Sequence, residues 1–559
     1  MSLHLEKAPT LAAPKGPLAI IVLDGVGVGR HDESDAVWLA RTPTLDRLDR
    51  VALKTTLLAH GTHVGMPSDD DMGNSEVGHN ALGAGRIFEQ GASLVETAIN
   101  TGRLFESDVW LEAVSRAEAA KPGTLHLLGL LSDGNVHSHI DHLFAMIRHA
   151  DQDGIGRLRV HILLDGRDVG SFTALDYVAP LEALLAEVSA KPARDYRIAS
   201  GGGRMFVTMD RYESDWAVVE RGWRAHVLGE GPQFESATAA ILAARAETKD
   251  LSDQFLPPFV VVERDAAGQV VPVGAVEDGD SFFLFNFRGD RAIQISKAFE
   301  NDDFPAFDRV RRPNVLYAGM MQYDGDLKLP HRFLVTPPHI DRTMGEYLSA
   351  AGLKQLAVAE TQKFGHVTYF WNGNRSGCFD DALERAIEVP SDRVEFSERP
   401  WMKAAEVTDT IIAELQSGHW DLVRINYANG DMVGHTGHRE AAIIAVESVD
   451  LCLERLLEVI EALGGAAIIT ADHGNADQMI QIDKKTKDFA RYPDGRPMEL
   501  TSHTLNPVPL WIFDPHRVGL FVLDEGLAQR RLSNVAATAL MMLGYEAPQG
   551  YDPSLVKRA

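Results

Sequence analysis

The octapeptide Met72-Gly73-Asn74-Ser75-Glu76-Val77-Gly78-His79 places a serine between glycines, just after the acidic run Asp69-Asp70-Asp71. The residues that follow suit a helix, so Ser75 is expected at or near a helix start. Unpaired N–H groups and the positive end of the helix dipole favour an anion there. A capping serine in a glycine-rich turn also explains the octapeptide. What makes Ser75 a candidate nucleophile stands elsewhere in the chain: Asp24, Asp431 with His435, Asp472 with His473, and His503. Carboxylates mixed with imidazoles suit Mn²⁺, Zn²⁺ or Co²⁺, and Mg²⁺ less naturally. Asp431 and His435 lie four apart, which on one helical turn sets them side by side. Each of these residues alone has an ordinary structural explanation. Together they suffice for two ions that lower the Ser75 hydroxyl pKa and aim it at a phosphoryl group.

A second set is cationic. Arg167, Arg204, Arg211, Arg288 and Arg291 all fall at or just beyond the ends of apolar runs, next to glycines. Guanidinium forks bind phosphate and carboxylate oxygens bidentately. His137, in Val136-His137-Ser138-His139, reads as a phosphate donor, with metal ligand or surface residue as alternatives. Asp168 beside Arg167 is either a proton acceptor or an arginine partner. Lys363, in Thr361-Gln362-Lys363-Phe364-Gly365-His366, binds phosphate or lies on the surface.

These groups need a sheet whose strand tips carry them. The continuous apolar run Leu18–Leu23 suits a strand covered on both faces, as in a parallel α/β sheet, and it delivers Asp24 to its carboxyl end. The same pattern predicts strands at 356–359, 421–427, 466–470 and 508–513, with helices at 42–51, 343–353, 439–463 and 531–543. In the long helix Ile443, Val446, Val449, Leu453, Leu456 and Ile460 form a buried stripe. From about Gln90 a second series begins. Strands at 125–131, 160–164, 196–199 and 281–286 alternate with helical stretches such as 174–190, and imply a second α/β unit. Val335-Thr336-Pro337-Pro338-His339 reads as a linker, and Lys484, Lys485 and Lys487 as a solvated loop.

With 559 residues the chain exceeds one ordinary core. No apolar run approaches a membrane span, the N-terminal segment lacks the apolar stretch of a signal peptide, and two cysteines make no disulfide framework. The expectation is a cytoplasmic, monomeric protein. A net charge of −26 argues against nucleic acid and anionic membranes as partners, and requires that cations for an anionic small molecule be gathered locally.

The segments Asp24-Gly25, Met72 to His79, Asp165-Gly166-Arg167-Asp168, Phe287-Arg288-Gly289-Asp290-Arg291, Asp431-Met432-Val433-Gly434-His435 and Thr470 to Asp477 resemble cofactor-independent phosphoglycerate mutase, from about Pro17 to Leu543. That family belongs to the alkaline phosphatase superfamily. The resemblance implies an α/β alkaline-phosphatase-like sheet domain with helices on both faces (residues 1–89 and 337–559), interrupted by an inserted phosphotransferase domain (90–336). It implies interconversion of 3-phosphoglycerate and 2-phosphoglycerate, without 2,3-bisphosphoglycerate, through a phosphoserine on Ser75. Asp431, His435 and His503 would hold one Mn²⁺-type ion, and Asp24, Ser75, Asp472 and His473 the other. His137, Arg167, Asp168, Arg204, Arg211, Arg288, Arg291 and Lys363 match substrate-contacting positions, with Asp168 as general acid/base. The spacing of Arg204 and Arg211 and the insertion at 481–497 resemble the longer, plant-like branch. Competing readings are a phosphomonoesterase or sugar-phosphate mutase of the same superfamily, and an inactive metal-binding protein.

Overall fold

The computed structural model describes residues 3–9, 11–89, 91–118, 123–211, 213–324, 327–336, 340–418, 420–483 and 486–559. Gln90, the Pro337-Pro338-His339 part of the expected linker, Lys484 and Lys485 lie outside the described residues. The chain divides into two compact units, one of Met1–Gln90 with His339–Ala559 and one of Gly91–Pro338.

The first unit is built on a seven-stranded sheet in the order Glu384–Val389, Gln355–Glu360, Leu422–Tyr427, Leu18–Leu23, Ala466–Thr470, Val508–Phe513, Leu53–Leu57. The first five strands are parallel, and the last two add antiparallel. The sheet is therefore mixed, where the apolar runs had suggested a parallel one. Leu18–Leu23 is central and buried along its whole length. A run with neither face in water needs no polar alternation. The two edge strands have no such run: Leu53–Leu57 alternates between half-buried and exposed positions, Glu384–Val389 is buried only at its two ends, and both carry charges.

The helix Arg439–Ala462 buries Val446, Val449, Leu453, Leu456 and Ile460 against the core. Its Asp450 is buried in mid-helix because its carboxylate accepts the N–H groups of Thr44 and Leu45 at 3.0 and 2.9 Å. Those are open donors at the start of the helix Pro43–Val51, whose own N-cap Thr42 makes no side-chain capping bond.

The second unit has an eight-stranded sheet. Its main path runs Leu316–Gly319, Ser281–Leu284, Leu125–Leu131, Arg157–Leu164, Asp195–Gly203, Phe259–Arg264, Gln233–Phe234, and Val270–Pro272 pairs with Phe259–Arg264. The first five strands of that path are parallel, so their carboxyl ends share one edge. Ser200 to Gly203, expected as a loop tip, continue the strand begun at Asp195. Gly203 lets it close on a neighbouring segment, since a Cβ there would stand 2.4 Å from the Gln254 carbonyl. No helix among the described residues is long and apolar enough to cross a membrane.

Candidate active site

In the first unit, adjacent strand ends place the acidic groups. Asp24 follows Leu18–Leu23, Asp431 sits in the short helix Asn429–Gly434 just past Leu422–Tyr427, and Asp472 and His473 follow Ala466–Thr470. Ser75 is the first residue of the helix Ser75–Ala84, which Asn74 caps through the Val77 N–H at 3.1 Å. Because Asn74 does the capping, the serine hydroxyl is released for other contacts. Ser75 Oγ lies 2.9 Å from His473 Nε2 and 3.4 Å from Asp24 Oδ1. Lys363, at the carboxyl end of Gln355–Glu360, sends Nζ to Ser75 Oγ at 2.6 Å and to Asp24 Oδ1 and Asp431 Oδ2 at 2.7 Å each. Asp431 Oδ1 is also 3.1 Å from His435 Nε2 and 3.2 Å from His503 Nε2. All of these residues are buried.

The imidazoles are oriented in one sense. Nδ1 of His435 faces the Thr501 carbonyl at 2.6 Å, that of His503 the Gly73 carbonyl at 2.8 Å, and that of His473 the Gly474 carbonyl at 3.2 Å. A carbonyl only accepts, so each Nδ1 carries the proton and each Nε2 presents a lone pair inward. The lone pairs of His435 and His503 then meet at 3.1 Å, an arrangement that calls for a cation between them. Asp472 Oδ2 is buried and takes no hydrogen bond among the described residues, although His79 Nδ1 is 3.3 Å away. Two groups of converging donor atoms result, Asp431 with His473 and His503, and Asp24 with Asp472 and His473. Divalent metal ions fit this donor set.

The electrostatics agree. Burial, with Asp472 next to it, pushes the Asp24 carboxyl up to about 7. Burial acts the same way on Asp431 and Asp472, but the Lys363 ammonium beside them helps to hold the first well below the usual carboxylate range and the second low. Burial also disfavours the charged form of Lys363, yet the three aspartates together hold its pKa above the usual lysine value. Three buried carboxylates around one ammonium leave surplus negative charge.

In the second unit the sign is reversed. His137 lies beyond Leu125–Leu131, Arg167 and Asp168 beyond Arg157–Leu164, Arg204 at the end of Asp195–Gly203, and Arg288 and Arg291 beyond Ser281–Leu284. These groups and Arg211 are buried. Arg204 Nη1 binds Asp165 Oδ1 at 2.7 Å and also pairs with Asp168. Asp290 gathers Arg288 Nε at 3.1 Å, His137 Nδ1 at 3.6 Å and Arg211 Nη1 at 3.7 Å. Burial and the surrounding guanidinium groups drive the pKa values of His137 and Arg291 well below their usual ranges. A preorganised, cation-rich surface of this kind suits an anion.

Residues 16–547 match the Metalloenzyme superfamily. The 2,3-bisphosphoglycerate-independent phosphoglycerate mutase of Trypanosoma brucei brucei is 51% identical over 562 residues, with 100% of both chains covered. Mutase 1 of Arabidopsis thaliana is 49% identical, with 99% of this chain and 98% of the relative covered. The chain belongs to the 2,3-bisphosphoglycerate-independent phosphoglycerate mutase family. It is an isomerase of the class that interconverts 3-phosphoglycerate and 2-phosphoglycerate. A crystal structure of Leishmania mexicana phosphoglycerate mutase at low cobalt concentration agrees with the whole fold at a TM-score of 0.96, with 49% identity and 100% of each chain covered.

Within this mutase the serine, Lys363, the three aspartates and the three histidines expected from the sequence meet in the first unit, and the arginines, His137 and Asp168 meet in the second. Neither Lys363 nor His137 lies on the surface. Several further groups brace the site. Asn426 donates to Asp24 Oδ2 at 2.7 Å and contacts His79 Nε2 at 3.1 Å, while His79 Nδ1 faces the Ser75 carbonyl at 2.8 Å. Asn475 donates to Asp431 Oδ1 at 3.2 Å. Asp477 accepts from Gly27, Thr504 and Asn506, bracing the segments that carry Asp24 and His503. His79, four residues after Ser75, was legible as sharing its helix face. The asparagines carried no comparable signal.

Proposed function

We propose that this mutase moves the phosphoryl group between the 3- and 2-oxygens of glycerate by way of Ser75. Ser75 Oγ, already deprotonated to the alkoxide that is regenerated when it leaves, attacks phosphorus, the bond to the 3-oxygen breaks, and Asp168 delivers a proton to that oxygen. Glycerate is retained by Arg167, Arg204, Arg211, Arg288, Arg291 and His137 and reorients. Asp168 then takes the proton of the 2-hydroxyl as that oxygen attacks the phosphoserine, and Ser75 leaves. The observation that carries this reading is the seat of Ser75 Oγ, 2.6 Å from Lys363 Nζ and 2.9 Å from His473 Nε2, at a helix start. Lys363 steadies the serine oxygen and the phosphoryl oxygens as charge develops.

Asp431, His435 and His503 would hold one divalent ion, and Asp24, Ser75, Asp472 and His473 the second. The mixed donors suit Mn²⁺, Co²⁺ or Zn²⁺, and Mg²⁺ less naturally; the family resemblance favours Mn²⁺, and cobalt is named in the description of the Leishmania mexicana structure. When bound, such ions lower the hydroxyl pKa and neutralise phosphoryl oxygens.

The division of labour follows the two units, with the serine-bearing one handling the phosphoryl group and the arginine-bearing one the glycerate. Small phosphoglycerates are the partners. The net charge of −26 argues against nucleic acid and anionic membranes as partners, and the two free cysteines fit a reducing, cytoplasmic compartment for an enzyme read as a monomer. Acid quenching of the metal-loaded enzyme with 3-phosphoglycerate, followed by peptide mass spectrometry, tests the route. Phosphate on the Ser75 peptide is expected. Turnover without it, or steady release of inorganic phosphate, would overturn the mutase route in favour of another transfer or a phosphatase.

A further inference from the structure

A buried chain of hydrogen bonds crosses the second unit and ends at the segment that carries Arg211. Asp280 Oδ2 lies 3.1 Å from His126 Nε2, His126 Nδ1 3.0 Å from His161 Nε2, and His161 Nδ1 2.6 Å from Ser200 Oγ. Ser200 Oγ lies 2.7 Å from His226 Nδ1, and His226 Nε2 3.1 Å from Thr208 Oγ1. From His126 to Thr208 every member is at most 1% exposed. A shift of register between Val160 and His161 is what sets His161 opposite Ser200.

The chain has one polarity. Asp280 also accepts the N–H groups of Thr124 and Glu277 at 2.7 and 2.8 Å, so it is the acceptor-only end. His126 therefore donates from Nε2 and accepts at Nδ1 from His161, which accepts in turn from the Ser200 hydroxyl. His226 donates to Ser200 from Nδ1, and its Nε2 is left to accept the Thr208 hydroxyl. Burial keeps all three imidazoles neutral, as this polarity requires.

Thr208 is the strained member. Its φ is +70°, and the Met209 N–H reaches back to the Val207 carbonyl at 2.8 Å, a three-residue turn that β-branched residues rarely adopt. Its own N–H is tied to the Val218 carbonyl at 2.8 Å. Gly222 makes room for the hydroxyl, since a Cβ there would stand 2.0 Å from Thr208 Oγ1. Past the turn, the Met209 carbonyl accepts Arg291 Nη1 at 2.6 Å, and Asp210 Oδ2 accepts Gln294 Nε2 at 2.6 Å. Strain of this kind persists only where surrounding contacts over-determine it.

We propose that the relay from Asp280 to Thr208 is a positioning device for substrate binding, holding the Thr208 turn so that Met209 aims Arg291 and Arg211 follows in register. The inference rests on the assignment of those two arginines to phosphoglycerate. Thr208 and Ser200 are positioning residues, not catalytic ones.

The test is steady-state kinetics with 3-phosphoglycerate on the metal-loaded enzyme for Thr208→Val, Ser200→Ala, Thr208→Ser and Arg291→Met. Thr208→Val keeps the side-chain shape and removes only the hydroxyl donor. It and Ser200→Ala are expected to raise KM roughly tenfold, with kcat within about threefold and metal content unchanged, while Thr208→Ser restores KM to within about twofold. A relay that merely stabilised the fold would lower melting temperature and apparent kcat and leave KM alone, and that result would overturn the proposal. Should Thr208→Val prove insoluble, Ser200→Ala, which deletes one oxygen from the middle of the chain, decides the matter by the same KM criterion. Arg291→Met separates the premises: an unchanged KM there overturns the substrate assignment itself, whereas a raised KM there beside normal values for the relay variants overturns the relay alone.

Discussion

Lys363 Nζ and Ser75 Oγ lie 2.6 Å apart although 288 residues separate them in the chain. A buried ammonium at that distance is both a hydrogen-bond donor to the serine oxygen and a counter-charge for Asp24 and Asp431. Lys363→Met keeps much of the volume and removes both functions. It is expected to lower kcat by about a hundredfold and, in chelated enzyme, to destabilise the fold because buried carboxylates lose their partner. A kcat within threefold of the parent, measured in a coupled assay at saturating metal, would show that the contact has no catalytic role.

Ser75→Ala removes the proposed nucleophile while Asn74 goes on capping the helix. Turnover is expected to fall by more than about 10⁴-fold, with the melting temperature little changed. A variant that kept even one-tenth of the parent rate would rule Ser75 out as the attacking group.

Asp168→Asn leaves an acceptor beside Arg204 but no proton to give or take. The prediction is a loss of about 10²- to 10⁴-fold in kcat with KM within about threefold. If KM rose and kcat held, Asp168 would be an arginine partner and nothing more.

Removing metal should expose the surplus negative charge among Asp24, Asp431 and Asp472. Dialysis against a chelator is expected to abolish activity and lower the melting temperature. Readdition of Mn²⁺ at a hundredfold excess over its Kd should return about 2.7 kcal/mol of stability per site filled. His503→Ala should lower the bound metal, read by elemental analysis, from about two ions per chain toward one. Full metal content in that variant would remove His503 from the ligand set.

Two buried groups outside these sites set opposite pH slopes. Burial pushes Glu360 up to about 7 from 4.5, even though Ser391 and the Lys403 N–H favour its charged form. A raised folded-state pKa means that its contribution is complete below pH 4.5 and is lost as pH rises through 7. Glu360→Gln keeps an acceptor for Lys403 and should therefore gain on the order of 3 kcal/mol over the parent between pH 5 and pH 8. Burial, with His139 nearby, pushes His142 down to about 3 from 6.5. Its contribution is present above pH 6.5 and lost as pH falls toward 3, so His142→Gln should flatten the acid limb. Denaturant titrations across pH check both, and parallel curves for variant and parent would refute the assigned shifts.

Much of this molecule was legible in one dimension. The central strands announced themselves because a segment buried on both faces has no use for polar alternation, and Leu18–Leu23 and Ala466–Thr470 run as expected. Candidate ligands were legible only as a set, because three carboxylates and three imidazoles recur at the ends of apolar runs although each alone has an ordinary structural explanation. The edge strands Leu53–Leu57 and Glu384–Val389 were not, since an edge needs only one dry face and takes charges on the other.

The amino-acid sequence by itself determined which chemistry was available: a serine at a helix start, carboxylates and imidazoles for cations, and arginines for an anion. Only the tertiary structure decided which atoms face one another. It turned the three imidazole Nε2 atoms inward by giving each Nδ1 a carbonyl, sank Lys363 beside Ser75, and linked Asp280 to Thr208 through three buried histidines. Those facts depend on backbone carbonyls and on neighbours far away in the chain. Residue type fixes what a side chain can donate or accept, but its partner is fixed by where the fold leaves the other half of the bond.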